Sequence, residues 1–409
     1  MQIFIVLFLV LLQTCVLEAT SFPTLIAQLE AHNPDLQAAR QAWLVQKANL
    51  EGAQAWPSTK LSYSQETSPT FPGIPADKTT YYRIEQDIPF PGKLWQEAQM
   101  KHHEVAIAES NYHEKYLTLI GSLRTLYYRL YLVDEKLRLA QESVDVMRSV
   151  LQTAQARLSA NQTSTSDVYM AQMELRRMEN MLFEEQQERK LIQNDLNTLF
   201  QDPPEKEWDK VDAPELRDIP HTLDQLQALA AQYSPKSRMA MLEKHHSQAL
   251  LKRQRLSYLP DFGLLLEKQT GGSGKESGDQ IGFSMYVPFW ATRPIGLYEA
   301  AKAHIQESDA DAQAMIAMTR RMVFMEQTET ITHLTLARND KAGLLPAALA
   351  NLKTAREHYA SGRLDILHLL EALRNWIQAT TEYHSEVYHY GEHWSELERW
   401  VGVSLEEKP

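Results

Sequence analysis

Apolar residues along this chain recur in two rhythms, and both rhythms occur twice. Over 94–160 the positions Leu117, Ile120, Leu123, Tyr127, Leu130, Val133, Leu137, Ala140, Val144, Met147, Leu151, Ala154 and Leu158 follow one another at spacings of three and four. That is the seam of a heptad coiled coil. A similar helical pattern covers 297–360, and each is followed by a shorter one, at 167–200 and 364–400. At about 1.5 Å per residue the first pattern spans roughly 100 Å, far more than a globular core requires. Each long helix is therefore expected to fold back on its shorter successor as an antiparallel coil. The reversals fall where the apolar pattern breaks, at Asn161-Gln162-Thr163-Ser164 and at Ser361-Gly362-Arg363, and polar residues and glycine suit such turns.

The second rhythm has a period of two. Ile281, Phe283, Met285 and Val287 alternate with Gly282, Ser284 and Tyr286, while Tyr82, Ile84 and Ile88 alternate with Arg83, Glu85 and Asp87. This alternation predicts strands with unlike faces. With Leu61–Gln65 and Phe262–Glu267 they form two hairpins around the polar loops 68–80 and 270–279. The apolar face could meet lipid, as in a membrane barrel, or pack on helices as a small soluble sheet; the alternation alone leaves both open.

The two rhythms are spaced by a tandem duplication at an offset of about 200 residues. Asn33-Pro34 is echoed by Ser234-Pro235, Ala55-Trp56-Pro57 by Tyr258-Leu259-Pro260, and Ile88-Pro89-Phe90 by Val287-Pro288-Phe289. Each half opens with a helical pattern, 24–55 and 222–257, that ends before a proline the helix cannot accommodate. The expected organisation is a leader at 1–20, a first repeat at 21–201, a polar and proline-rich linker on the outside at 202–221, and a second repeat at 222–404.

Composition narrows the class. With 409 residues, 44% of them hydrophobic, the chain can bury a substantial core. A formal charge of -12 and the absence of a clustered basic face argue against a nucleic-acid partner. The apolar run Ile3–Leu12, followed by Thr14, Ala19, Thr20 and Ser21, predicts a secretory signal peptide, although no basic residue precedes it. Cys15 is the only cysteine and a candidate for lipidation, with Thr14 where a smaller residue is usual. Thiolate and disulfide chemistry are otherwise excluded. No later stretch approaches the roughly 20 apolar residues of a spanning helix, so any membrane crossing must be a barrel. Four strands cannot close one, so a membrane reading requires an oligomer.

Candidate chemistry is sparse. No nucleophile elbow or HExxH pattern is present, and Gly271-Gly272-Ser273-Gly274 lacks the Gly-Lys-Ser/Thr ending of a phosphate loop. Histidines at His102-His103, His245-His246, His384, His389 and His393 suit divalent metals by type. They are read as solvated coil residues, with no resident metal and no cofactor.

The duplicated helix-hairpin-long helix pattern, Asn33-Pro34, Gln86-Asp-Ile-Pro-Phe-Pro-Gly-Lys93, Tyr359-Ala-Ser-Gly362 followed by Leu369-Leu370, and Trp400-Val401-Gly402 together resemble the TolC-type outer-membrane factors. Within that family they are similar to the heavy-metal efflux branch typified by CzcC and CusC. The resemblance implies a mainly α fold of long antiparallel coiled-coil helices, with four strands given to a trimeric twelve-stranded transmembrane barrel. It implies a passive, non-enzymatic duct in the outer membrane of a Gram-negative bacterium, with a large periplasmic portion. A homotrimer would work with a periplasmic adaptor (membrane fusion protein) and an inner-membrane RND pump, and would export small solutes, heavy-metal cations foremost. Asn161, Gln162, Thr163, Ser361, Gly362 and Arg363 would meet the adaptor. Pro89, Pro91, Gly92 and Pro288 would turn barrel into helix. The family's acidic aperture positions fall on His368 and Glu371, with Asp365 one turn nearer the tip, so this sequence departs from the usual acid at His368. A periplasmic coiled-coil scaffold is the alternative class, and a duct for drugs or type I protein secretion the alternative within the family.

Overall fold

The computed structural model describes residues 22–53, 55–67, 78–271, 278–288 and 292–405. The expected leader at 1–20 with Cys15, the loop residues 68–77, the glycine cluster beyond Gly271, and Phe289 with Trp290 lie outside the described residues.

Each half opens with two helices where the pattern predicted one. They are α1 (Phe22–His32) and α2 (Pro34–Ala53), then, in the second half, α5 (Leu223–Tyr233) and α6 (Pro235–Leu256). Pro34 and Pro235 cause the breaks. Proline disfavours the α conformation in the residue before it and lacks an N–H, yet it serves well as the first residue of the next helix.

The break residues then do structural work. Asn33, 4% exposed, donates through Nδ2 to the Leu199 carbonyl at 3.0 Å, one of the last carbonyls of α4 (Thr165–Phe200), which a helix end leaves unpaired. In the second repeat, Tyr233 and Ser234 lie so close to Gly402 that a Cβ there would collide with the Tyr233 carbonyl. Gly402 also has φ 91°. The equivalent breaks thus receive the equivalent helix ends, which explains both the Asn-Pro pair and the terminal Trp-Val-Gly.

The long helical pattern of the first half is one 67-residue helix, α3 (Lys93–Ser159). Its counterpart is interrupted: α7 (Thr292–Asn339) passes through a π turn at Asp340–Leu344 into α8 (Leu345–Ala360). The seam did not reveal this. Pro346 lies in the first turn of α8, where its ring and missing N–H break the ordinary ladder. The wider π turn, with the Leu345 N–H donating to the Asp340 carbonyl, accommodates it. The returning helices are α4 and α9 (Ile366–Val401).

The strands are β1 (Lys60–Thr67), β2 (Lys78–Ile88), β3 (Asp261–Gly271) and β4 (Gly278–Tyr286), paired antiparallel in the order β1-β2-β3-β4. The two hairpins are joined into one sheet by β2 and β3, from Thr79 opposite Gly271 to Ile88 opposite Phe262.

The chain forms two compact units, and each draws on both sequence halves. The unit holding 119–219 and 327–396 has its core where α3, α4, α8 and α9 meet. Val144, Met147, Val150 and Ala154 pack with Val168, Ala171 and Met178, and with Leu352, Tyr359, Ile366, Leu369 and Leu373. One buried charge stitches the returning helices of the two repeats: Glu174 accepts from Arg374 Nε at 3.0 Å and Nη2 at 2.9 Å. Burial alone would raise the Glu174 pKa, but Arg374 and Arg177 outweigh it and hold the carboxyl below its usual range.

The linker covers this unit and is pinned to it. Val211 and Leu216 pack on Tyr131, Ala337 and Val387. Trp208 Nε1 donates to Asn197 Oδ1 at 2.6 Å, and the Tyr390 hydroxyl donates to the Arg217 carbonyl while accepting from its N–H.

Beside that cluster, His384 is buried and shares a 2.9 Å hydrogen bond with the Tyr131 hydroxyl through Nδ1. It is not the solvated histidine its sequence context suggested. Burial, only partly opposed by Glu135, lowers its pKa to about 4. An unfolded imidazole titrates near 6.5, so between about pH 6.5 and 4 the unfolded chain holds the extra proton. This contribution is complete above pH 6.5 and is lost as pH falls towards 4, by on the order of 3 kcal/mol. His384→Gln is expected to flatten the pH dependence of thermal unfolding over that window, followed by circular dichroism. An unchanged slope would contradict the assignment.

Candidate functional site

The strand register sorts the sheet into two unlike faces. On one, Leu61 opposes Ile84, Ile84 opposes Leu266, and Leu266 opposes Ile281; Leu264 opposes Phe283, Phe262 opposes Met285, and Tyr63 opposes Tyr82. Directly opposed residues share a face, so these form one apolar surface. Much of it is bare: Ile281 is 78% exposed, Leu61 76% and Phe283 71%. The other face carries Ser62, Arg83, Glu267 and Gln280 in one row and Gly263 with Ser284 in another. Across it Arg83 donates twice to Glu267, at 2.8 and 2.6 Å.

Aromatic residues stand at the end of the sheet where strands meet helices. Trp56 precedes β1, Trp95 follows β2 and Tyr258 precedes β3, all exposed. Such rings form the girdle at a membrane interface. No described helix is long and apolar enough to cross a membrane.

At that same end the expected corner is built around Lys93. Pro89 and Pro91 have no N–H to extend β2, and Gly92 takes φ 98° to start α3. Lys93, largely buried, donates to Asp261 Oδ1 at 2.8 Å and to the Leu259 carbonyl at 3.0 Å. Asp261 Oδ1 also accepts the Phe90 N–H at 2.7 Å. The exit of the first hairpin is thus fastened to the entry of the second. Pro288 follows the last strand by two residues. Asp261 was not singled out by its sequence context, because its partner lies in the other repeat.

The tips close by the same device in both repeats. Asn161 has φ 56° and Gly362 φ 75°. The Gln162 N–H returns to the Arg157 carbonyl at 2.8 Å, and the Arg363 N–H to the His358 carbonyl at 2.9 Å. These are helix ends closed through a left-handed residue. After the turns, Ser164 caps α4, with Thr163 hydrogen-bonded to Asp167. Ser361 lies within the second turn, its hydroxyl on the His358 carbonyl at 3.1 Å. Arg157 binds the two tips together. Its Nη1 donates to the Tyr359 carbonyl at 2.9 Å and its guanidinium lies over the Tyr359 ring, 4.9 Å from the centroid. Nothing in the local sequence marks Arg157, because its partner is some 200 residues away.

Asp365, His368 and Glu371 all lie on the exposed surface of the second tip. Asp365 caps α9: its Oδ1 accepts the His368 N–H at 3.1 Å and meets His368 Nδ1 at 2.7 Å. That hydrogen bond, then the Asp365 charge and the more distant Glu371, raises the His368 pKa above its ordinary value. The same contacts lower the Asp365 pKa.

Comparison with known proteins finds a family match over part of the chain and a shared fold over most of it. Residues 25–200 match the family described as outer membrane efflux protein. The cobalt-zinc-cadmium resistance protein CzcC of Cupriavidus metallidurans is 22% identical over 265 residues, 63% of this chain. The match spans 61% of that relative's length, under two thirds of it. CusC has the same fold with a TM-score of 0.82 at 16% identity, over 93% of this chain and 92% of that one. The outer membrane protein VceC of Vibrio cholerae gives 0.80 at 16% identity, over 94% and 96%. The open-state MtrE channel of Neisseria gonorrhoeae gives 0.80 at 16% identity, over 94% and 89%. The fold is that of TolC-like outer-membrane channels.

The Asp365 contact makes a prediction at the tip. His368 is expected to titrate above 6.5 by histidine-selective NMR of the solubilised chain. Asp365→Asn should bring the midpoint back towards 6.5; a midpoint indifferent to that change would remove the pairing from the account.

Proposed function

We infer that this chain, an outer-membrane efflux protein of the TolC type, is the passive outer-membrane duct of a tripartite export system and carries heavy-metal cations. One observation supports this most: a four-stranded sheet with a bare apolar face, a polar reverse face and, among the described residues, two edges without a strand partner. In water such a face is a liability. In lipid it is favourable, provided the edges find partners. Three copies would supply twelve strands and close the barrel, with polar residues such as Arg83, Glu267 and Ser284 inward. A coiled-coil scaffold would have no use for this sheet.

Self-association also fits an exposed stripe on α4. Tyr169, Met173, Phe183 and Leu191 are all exposed and fall within one side of the helix at its 3.6-residue period. Neighbouring copies would cover them. The helices lie in the periplasm on this reading, with Asn161, Gln162, Thr163, Ser361, Gly362 and Arg363 meeting an adaptor that links the duct to an energised inner-membrane pump.

Asp365, His368 and Glu371 form the aperture. Carboxylates repeated around an axis attract cations and resist anions. A histidine among them whose pKa is raised adds positive charge as pH falls towards 6.5 and below, weakening that preference. The metal cargo is supported by the likeness to CzcC, whose name is that of a cobalt, zinc and cadmium resistance protein.

Two measurements test the reading together. Asp365→Asn with Glu371→Gln should lower the cation selectivity of the reconstituted channel in planar bilayers, and loss of the gene should raise sensitivity to zinc, cobalt and cadmium. Unchanged reversal potentials would displace the aperture from these residues. Unchanged metal tolerance with new sensitivity to drugs would replace metal cations as the cargo.

A further inference from the structure

Within one of the two compact units, α7 and α9 bring histidines and carboxylates together. Glu329 and His333 are one turn apart on α7, and Glu386, His389 and His393 recur at three and four on α9, so each set lies on one helical side. The His333 and His393 rings stack with centroids 5.2 Å apart and planes 5° from parallel, and His389 lies 5.1 Å from His333. His333 Nδ1 is 2.5 Å from Glu386 Oε2, while its Nε2 is 3.9 Å from Glu329 Oε2. One ligand atom each of Glu329, His333 and His393 lies within 4.8 Å of the other two.

We propose that Glu329, His333 and His393 form a binding site for a divalent transition-metal ion, zinc foremost, with Glu386 as the residue that positions His333. The donor set is two imidazole nitrogens and a carboxylate oxygen, which suits zinc and its neighbours over calcium or magnesium. Glu386 accepts the Nδ1 proton, and this fixes the tautomer that leaves the Nε2 lone pair free towards Glu329. A carboxylate holding the far nitrogen is the usual support of a metal-binding histidine.

Zinc bonds of about 2.0–2.1 Å place tetrahedral ligands roughly 3.4 Å apart, so atoms that lie within 4.8 Å of one another draw in by up to about 1.4 Å, with the side chains of His333 and His393 turning as well as Glu329. Glu329, whose side chain is 45% exposed, is free to rotate that far. All three ligands are half-buried, and three protein ligands leave the fourth tetrahedral position open to water. Histidines at His102, His103, His245 and His246 also gather, but among the described residues only the α7–α9 group brings three ligand atoms this close. The site is independent of what the duct exports, since binding is read without transport.

Zinc titrated calorimetrically into the untagged full-length chain in mild detergent is expected to bind at one ion per chain. Cobalt should give the intense visible absorption of a four-coordinate ion at the same stoichiometry. His333→Ala and His393→Ala should each abolish this binding, and Glu386→Gln should weaken it by about 10–100-fold. His103→Ala and His245→Ala should leave it unchanged. Far-UV circular dichroism and the oligomeric mass check that each variant folds; if His333→Ala does not, Glu329→Gln on the exposed ligand carries the same test. No stoichiometric binding to the parent chain, or full binding to the folded ligand variants, would overturn the site.

Discussion

A backbone N–H or carbonyl without a partner costs several kcal/mol in hydrocarbon, and this constraint governs the reading of the whole chain. Among the described residues, one side of β1 and one side of β4 have no strand partner, while the apolar face of the sheet, centred on Ile281, Phe283 and Leu61, is exposed. A single copy satisfies neither requirement. Placing the face in lipid and pairing each β1 edge with the β4 edge of another copy satisfies both. The proposed assembly of several copies around one barrel rests on that step.

The duplication supplies the means. Each repeat contributes one hairpin and one coiled coil, and polar contacts with one buried member fasten the two together within each compact unit. In one unit these are Glu174 with Arg374 and Arg157 with the Tyr359 carbonyl. In the other they are Lys93 and the Phe90 N–H, both on Asp261. Removing the exposed member of such a pair leaves a buried group, Glu174 or Lys93, unsatisfied, a cost larger than the net gain of forming the contact. These contacts therefore specify the pairing of repeats more than they add stability.

Much of this was legible in the sequence because it is periodic or local. The alternation at 281–287 placed β4 and its apolar face, the heptad seam placed α3, and Asn161 and Gly362 marked the two reversals. What was not legible depends on partners far along the chain. The proline breaks were visible as motifs, yet their consequence, two helices in place of one, was not drawn. Pro346 gave a π turn where an unbroken seam was expected. The sequence around His384 suits a solvated position, but Tyr131, on another helix, packs against it. Nothing in the sequence joins His333 to the C-terminal histidines, since the packing of α7 on α9 brings it to His389 and His393.

The oligomeric state of the protein extracted from outer membranes in mild detergent tests the central claim most directly. Light scattering corrected for bound detergent should give three chains per particle, resistant to high salt and dissociated only on heating. A monomer released from membranes by salt alone would contradict the shared barrel, and with it the duct.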